Sequence, residues 1–293
     1  MILVEFDKAG AEWVLVAYLS GDARMLDVVE SGKSPHVVTG HLITGVPEEL
    51  ILKESGIVKV NTDPNLIYEL RSEHCPELLA EEWKFLPRSM SIRQCGKKSN
   101  HGLNYGMRFR RAALEWEIEE REAKIICDLY PQAYPGIPLW QEGIRRQMRK
   151  DRTMVSLLGR KIELLDEWGD ELFNMAYSFN PQSTIGDMVN DALMKFEADY
   201  EPFMYKADCL TQTHDSATMQ YPANDWLDMA RYAIRFGLEY MSPELEAHGR
   251  KFRVGTDMKI GFEWGNMMEC KLTTNVEEVA HELERTWHEL QEN

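Results

Sequence analysis

Apolar and polar positions change their spacing several times along the chain, and each change marks an element. The run ILVEF at residues 2–6 is almost wholly apolar and predicts a buried strand that Asp7 closes. Residues 11–32, AEWVLVAYLSGDARMLDVVESG, switch to a helical pattern with a break near SGD. Residues 55–76 are punctuated by NTDPN and EHCPE and predict a loop-rich segment. A helix is predicted from about 88 to 105, with Pro87 before it and Gly106 near its end. A second covers roughly 109–130 and stops at YPQAYPG; a third runs from about 137 to 151 into the turn LLGRK. Residues 169–200 are helical in pattern, with NPQST supplying a start because Pro181 suits a first helical turn. Residues 208–222 predict a strand pair, 224–241 an amphipathic helix, and KFRVGTDMKIGFEW one or two strands. A closing helix over 275–292 is capped by Thr274 or Asn275. Strands are few, helices many, and no repeat is present, which predicts an α+β arrangement around a small antiparallel sheet.

Composition narrows the class. A chain of 293 residues can build one large core or two ordinary domains, and its 44% hydrophobic content with mixed charge is that of a soluble globular protein. No apolar run reaches the roughly 18 residues that a membrane helix needs, so no membrane partner is expected. The opening MILVEFDKAG lacks the basic start and apolar core of a signal peptide. Five scattered cysteines without a CxxC pair point to a reducing cytoplasm and away from structural zinc or a disulfide framework. The net charge of −16 argues against a simple nucleic-acid-coating protein. Yet cations cluster in RQCGKK (93–98), RFRR (108–111), RRQMRKDR (145–152) and GRK (159–161). Such clusters are either solvated helix faces or a local positive cleft on an acidic body.

Candidate chemistry begins at LTQTHDSATMQYP, residues 210–222, where His214 and Asp215 interrupt a strand-like alternation. One reading is a tight turn in which Asp215 bonds its own backbone. The other is a metal-binding carboxylate on a rigid hairpin, which needs a second carboxylate. Asp7, closing the first strand, offers one, because two aspartates on adjacent strand ends suit a pair of magnesium ions. A chain with 49 acidic residues offers many such pairs, so a strand-end or capping role for Asp7 stays open. The segment RQCGKKSNHGLNYG adds weight: Arg93, Lys97, His101 and Tyr105 recur at four-residue steps, with Asn100 and Asn104 on nearly the same face. Residues 86–107 contain no carboxylate, unlike an ordinary surface helix. A stripe of two cations, an imidazole and a phenol suits a triphosphate.

Taken together, these segments resemble family A DNA polymerases. RQCGKKSNHGLNYGM is similar to the family's fingers helix, R-x3-K-x2-N-[FY]-G-x2-YG. FDKAGAEWVLVAYLSGD resembles the first palm motif, an aspartate followed five residues later by a glutamate, and QTHDSATMQYP the third, centred on His-Asp-Glu. GKSPHVVTG and FNPQSTIGDM resemble stretches that carry a nucleotide-binding histidine and a primer-facing glutamine. The resemblance implies a palm with a small antiparallel sheet plus helical fingers: palm at 1–30, fingers at 31–170 with the nucleotide helix at 88–105, and palm again at 171–293 with the second metal motif at 214–215. It implies that Asp7 and Asp215 bind two Mg2+ ions, with the Lys8 carbonyl as a further ligand. Glu12 would exclude a 2′-hydroxyl, and Arg93, Lys97 and His36 would bind phosphate. Lys97 would also protonate pyrophosphate. His101 and Tyr105 would lie toward sugar and base. Gln182 and His214 would read minor-groove acceptors common to every correct pair. Primer–template DNA and dNTPs are the implied partners.

Two positions and one segment depart from the family pattern. Ser216 stands in place of the glutamate, His101 in place of phenylalanine or tyrosine, and AGAEWV in place of Ser-Gln-Ile-Glu-Leu-Arg. The chain starts at the first metal motif, which implies that thumb, earlier palm strands and exonuclease are absent. The expectation is therefore the catalytic subunit of a split polymerase, with a separate polypeptide supplying thumb, remaining palm and possibly exonuclease. Viral gene splitting would fit that arrangement, and host cytoplasm would then be the location. The alternative is a catalytically weak homologue serving as a DNA-binding or assembly subunit. A phosphatase or nuclease built on the same aspartates would leave the nucleotide helix unexplained.

Overall fold

The apolar run at the front forms β1 (Ile2–Lys8), one of seven residues whose side chains alternate between buried and half-buried. Ile2, Val4, Phe6 and Lys8 point into the core, and Leu3, Glu5 and Asp7 to the opposite face. The strand thus runs one residue past Asp7 and turns a lysine inward. The computed structural model describes residues 1–59 and 62–292; Asn61 of the NTDPN punctuation lies outside them.

After β1 come α1 (Ala11–Ser20), α2 (Ala23–Glu30), α3 (Pro35–Thr44), α4 (Glu48–Ile57), α5 (Pro64–His74) and α6 (Glu77–Ala80). Next are α7 (Ile92–Leu103), α8 (Phe109–Trp116), α9 (Glu120–Ala133), α10 (Gly136–Asp151), β2 (Thr153–Val155), β3 (Lys161–Glu163) and α11 (Asp170–Glu197). The chain continues through β4 (Asp208–Thr213), β5 (Ser216–Tyr221), α12 (Trp226–Ala233) and a π-helical turn (Ile234–Tyr240). It ends with β6 (Leu245–Ala247), β7 (Arg250–Phe252), β8 (Thr256–Glu263), β9 (Asn266–Cys270) and α13 (Val276–Glu292).

Several boundaries differ from the sequence pattern for identifiable reasons. The segment expected to be loop-rich contains α5: Asp63 Oδ1 accepts the Asn65 N–H at 2.8 Å and Pro64 occupies the first turn, so the punctuation is a helix start. The helix expected over 109–130 is two helices, because Glu117 adopts a left-handed φ of 56° between α8 and α9. NPQST does not start a helix; α11 begins at Asp170 and carries Pro181 in its interior. The closing helix is capped by Asn275, whose Oδ1 accepts the N–H groups of Glu277 and Glu278 at 3.0 and 3.3 Å.

Contacts divide the chain into two compact units. The first comprises Met1–Glu12, Val155–Arg160 and Asn180–Asn293, the second Trp13–Met154 and Lys161–Phe179. The division puts residues 13–30 and 171–179 in the second unit, whereas the family resemblance implies that they belong with the palm.

In the first unit, five antiparallel strands follow the order β4-β5-β1-β8-β9. The first strand of the chain is therefore the central one, and Asp7 stands opposite Ser216 of β5 and Asp257 of β8. Phe6 packs on Phe236 and Tyr232 at ring separations of 5.0 and 5.9 Å, beneath a core that includes Val189, Met219 and Leu283. In the second unit, α3 lies tightly against α7, and Val37, Ile51, Leu78 and Ile92 share a core. A second cluster gathers Met148, Leu172 and Tyr177, with Tyr105 at its margin.

Candidate active site

Asp7 and Asp215 meet at one end of the central strand pair of the first unit. The register that places Asp7 opposite Ser216 brings the two-residue turn His214–Asp215 alongside the end of β1. The Lys8 N–H donates to the Asp215 carbonyl at 3.2 Å and fastens the turn to the strand. His214 takes a φ of 46°, a region costly for a residue with a Cβ, and Ser216 Oγ donates to the Thr213 carbonyl at 3.2 Å. The stretch THDS is therefore a tight turn and also a carboxylate site beside Asp7.

The electrostatics of the pair favour a cation. Burial first and the charge of Asp215 second raise the Asp7 carboxyl from 3.8 to about 6; Lys259 opposes, while Glu5 and Asp257 add to the rise. A second positive charge at this end of the strand would relieve two carboxylates at once. The donor set, two oxygen ligands of like charge, suits a hard divalent ion. Among the described residues no group of three or more His, Cys, Asp or Glu side chains forms a metal cluster.

Lys8, whose carbonyl the family resemblance implies as a ligand, has its side chain buried at 1% exposure. Its Nζ donates to the carbonyls of Met241 and Val254, each at 2.7 Å, and shares its third N–H between Thr256 Oγ1 and Ser242 Oγ at 3.1 and 3.3 Å. Burial lowers its amine to about 7, against the pull of Asp257 and Asp7. The Met241 carbonyl follows the π-helical turn, so one ammonium joins that turn, the start of β8 and the end of β1.

Glu12, in the first turn of α1, lies between two other implied site residues. Its Oε1 accepts from Gln182 Nε2 at 3.4 Å and stands 3.8 Å from His214 Nε2. The other ring nitrogen of His214 is 3.6 Å from Asp215 Oδ1. Asp215, His214, Glu12 and Gln182 thus form one continuous polar chain.

The second unit holds the cationic stripe. α7 is shorter than expected, starting at Ile92 after the cap Ser91 and ending at Leu103, so Tyr105 lies in the turn that follows. Arg93, Lys97 and His101 are exposed and Tyr105 is half-buried. Asn100 and Asn104 do not share that face. Both are buried: Asn100 Oδ1 accepts from Thr39 Oγ1 at 2.8 Å, and the single proton of the Tyr130 hydroxyl is shared between Asn104 Oδ1 at 2.7 Å and Asn100 Oδ1 at 3.2 Å. The two amides tie α7 to α3 and α9 while the cations point away. His36, near the start of α3, sits 3.3 Å from the Asn100 amide nitrogen through Nδ1. Burial lowers its imidazole to about 4, and Arg93, Lys97 and His101 push the same way, so a neutral His36 sits in the positive field of α7.

A sequence profile of DNA polymerase family A matches residues 63–266. The chain belongs to DNA polymerase family A. Among family members, the thermostable DNA polymerase I of Thermus aquaticus is 24% identical over 238 residues, covering 79% of this chain and 24% of that protein. The DNA polymerase of Mycobacterium phage D29 is 22% identical over 268 residues, covering 91% of this chain and 35% of its own length. The chain thus spans about a quarter of the Thermus relative and about a third of the phage one. A solved structure, the POL domain of Pol1 from M. smegmatis in complex with DNA primer-template and dNTP, superposes with a TM-score of 0.66. It is 19% identical and covers 90% of this chain and 40% of that one, so the fold is that of a family A polymerase domain. No helix among the described residues is long and apolar enough to cross a membrane.

Four features of this family A chain escaped the sequence pattern: the inward Lys8, Asp257 opposite Asp7, the inward Asn100 and Asn104, and a buried Glu54–Arg71 pair. Lys8 alone left a signal, since strict alternation from Ile2 assigns it the buried face.

Proposed function

We propose that this protein performs template-directed DNA synthesis, transferring a deoxynucleotidyl group from a dNTP to a primer 3′-hydroxyl, with the first unit acting as palm and the second as fingers. The observation that carries the reading is the carboxylate pair, Asp7 and Asp215, held at one strand end with the Asp7 carboxyl raised to about 6, in a chain of family A. Two magnesium ions, when bound there, would supply the charge that activates the 3′-hydroxyl and neutralises the leaving phosphate. Asp7 and Asp215 would hold them, with the Lys8 carbonyl as a further oxygen ligand.

The remaining roles fall to side chains with defined surroundings. Arg93 and Lys97 grip the β- and γ-phosphates, and Lys97 gives a proton to departing pyrophosphate. His36, neutral beside those cations, gains a favourable partner when phosphate arrives. His101 and Tyr105 contact sugar and nascent base pair. Glu12, fixed by Gln182, closes the space a 2′-hydroxyl would need. Gln182 and His214 read minor-groove acceptors of the primer end.

Primer extension with magnesium tests the reading. Asp7→Asn and Asp215→Asn should each abolish incorporation while leaving the far-ultraviolet circular dichroism unchanged; near-normal extension by either variant overturns the metal assignment. Ser216, where the family pattern has glutamate, favours a second reading, a catalytically weak DNA-binding or assembly subunit. Tight primer–template binding by the unmodified chain with no extension at any magnesium concentration would select it.

A further inference from the structure

We infer that Glu54 and Arg71 are positioning residues that index the start of α7, and with it Arg93 and Lys97, for the triphosphate; the inference rests on the nucleotide-binding role proposed for that helix. The first N–H groups of any helix lack partners within it. In α7, Ser91 Oγ accepts the Gln94 N–H at 3.1 Å, and Glu54 Oε2, from α4, accepts the Ile92 N–H at 2.7 Å. The other oxygen of Glu54 takes both Nε and Nη2 of Arg71, at 2.7 and 2.6 Å. The same guanidinium donates to the carbonyls of Pro87 and Met90 at 2.6 and 3.1 Å. Glu122 of α9 accepts the Arg88 N–H at 3.2 Å. Backbone groups of residues 87, 88, 90 and 92 are therefore held by three acidic or basic side chains, Glu54 at 0%, Arg71 at 4% and Glu122 at 9% exposure.

This arrangement goes beyond the needs of core stability. A well-packed apolar pair often serves as well as a buried ion pair or better. What the planar fork adds is direction: several donors in fixed geometry set both the position and the angle of the segment they hold. The held segment ends at Ile92, immediately before Arg93, and Lys97 follows one turn later on the exposed side. A displacement of about 1 Å at a substrate-gripping residue can cost on the order of a hundredfold in rate, so the geometry of residues 87–92 bears directly on the triphosphate.

The test compares the full chain with a double variant, Glu54→Met with Arg71→Leu, and with the single variants Glu54→Gln and Arg71→Lys. Thermal melting establishes folding, primer extension yields KM separately for dNTP and for primer–template, and amide hydrogen exchange reports on residues 92–98. The expected result is a folded double variant whose dNTP KM rises about tenfold or more, with primer–template KM unchanged and faster exchange confined to the start of α7. Glu54→Gln, whose single amide oxygen can accept from the Ile92 N–H or from Arg71 but not from both, should also raise the dNTP KM and speed exchange at the start of α7. A folded double variant with unchanged dNTP KM and unchanged α7 exchange overturns the inference. If the double variant fails to fold, the single variants carry the same readouts. If the unmodified chain extends no primer, the proposed function fails, and exchange in α7 still decides the clamp.

Discussion

In the second unit α3 and α7 approach closely at Gly96. α3 and α7 cross where Gly96 faces Gly40, and a Cβ on residue 96 would lie 2.1 Å from the His36 carbonyl oxygen and 2.9 Å from the Gly40 nitrogen. Real Cβ contacts essentially never fall below 3.0 Å, and both obstacles are backbone atoms that cannot rotate away. Gly96→Ala must therefore move α7 off α3 by about 1 Å at that point. The shift also stretches the hydrogen bonds from Thr39 to Asn100 and from Asn100 to the Pro35 carbonyl, 2.8 and 3.3 Å long. Overpacking costs about 1–3 kcal/mol and weakened hydrogen bonds about 1 more, while alanine recovers about 1 through helix propensity. The net destabilisation should be about 1–3 kcal/mol, small enough to leave most molecules folded. Because Arg93 and Lys97 ride on the displaced turns, kcat/KM for dNTP should fall by about a hundredfold. Urea unfolding and steady-state extension measure the two effects. Gly143→Ala in α10 is the control: nothing lies within 4 Å of its Cβ, and it should be neutral or gain about 1 kcal/mol. If Gly96→Ala behaved like that control, with stability raised and dNTP use unchanged, the close helix crossing would be refuted.

Other tests address the first unit. The Asp7 carboxyl is raised from 3.8 to about 6, so folding favours its protonated form; that stabilisation is complete below pH 3.8 and lost as pH rises through about 6. Discounted for the partial exposure of the group, the loss is about 1–2 kcal/mol, and urea melts across that range should show Asp7→Asn gaining on the unmodified chain by that amount. A pH-independent difference would contradict the burial and like-charge account. Lys8→Met leaves the buried Met241 and Val254 carbonyls without their donor and should cost about 2–4 kcal/mol, so an unchanged melting temperature would remove Lys8 from the framework. Glu12→Ala should admit ribonucleotides in primer extension, and unaltered sugar selectivity would refute the steric role.

Local patterning located the first strand, the hairpin strands and most of the long helices, and it set the order in which the chemical residues occur. Periodicity is set by neighbours two to four residues apart, so ILVEF, the 208–222 pair and a closing helix capped at Thr274 or Asn275 were legible. Where local signals are ambiguous they misled: Asp63-Pro64 punctuates a loop and starts a helix by the same chemistry, and Pro181 suits a first turn yet lies inside α11. The stripe Arg93, Lys97 and His101 followed from spacing, but the burial of Asn100 and Asn104 did not, because an amide suits either face until a Thr39 or Tyr130 hydroxyl meets it. Tertiary structure alone decided which partners distant residues acquire. Lys8 finds its acceptors 233 to 248 residues away, and Asp7 acquires its neighbours through the register of β1 against β5 and β8. Glu54 and Arg71 carry no distinguishing signal in the sequence until folding closes them over the start of α7. Strand pairing and burial are free energies of the assembled chain, and no local window of sequence contains them.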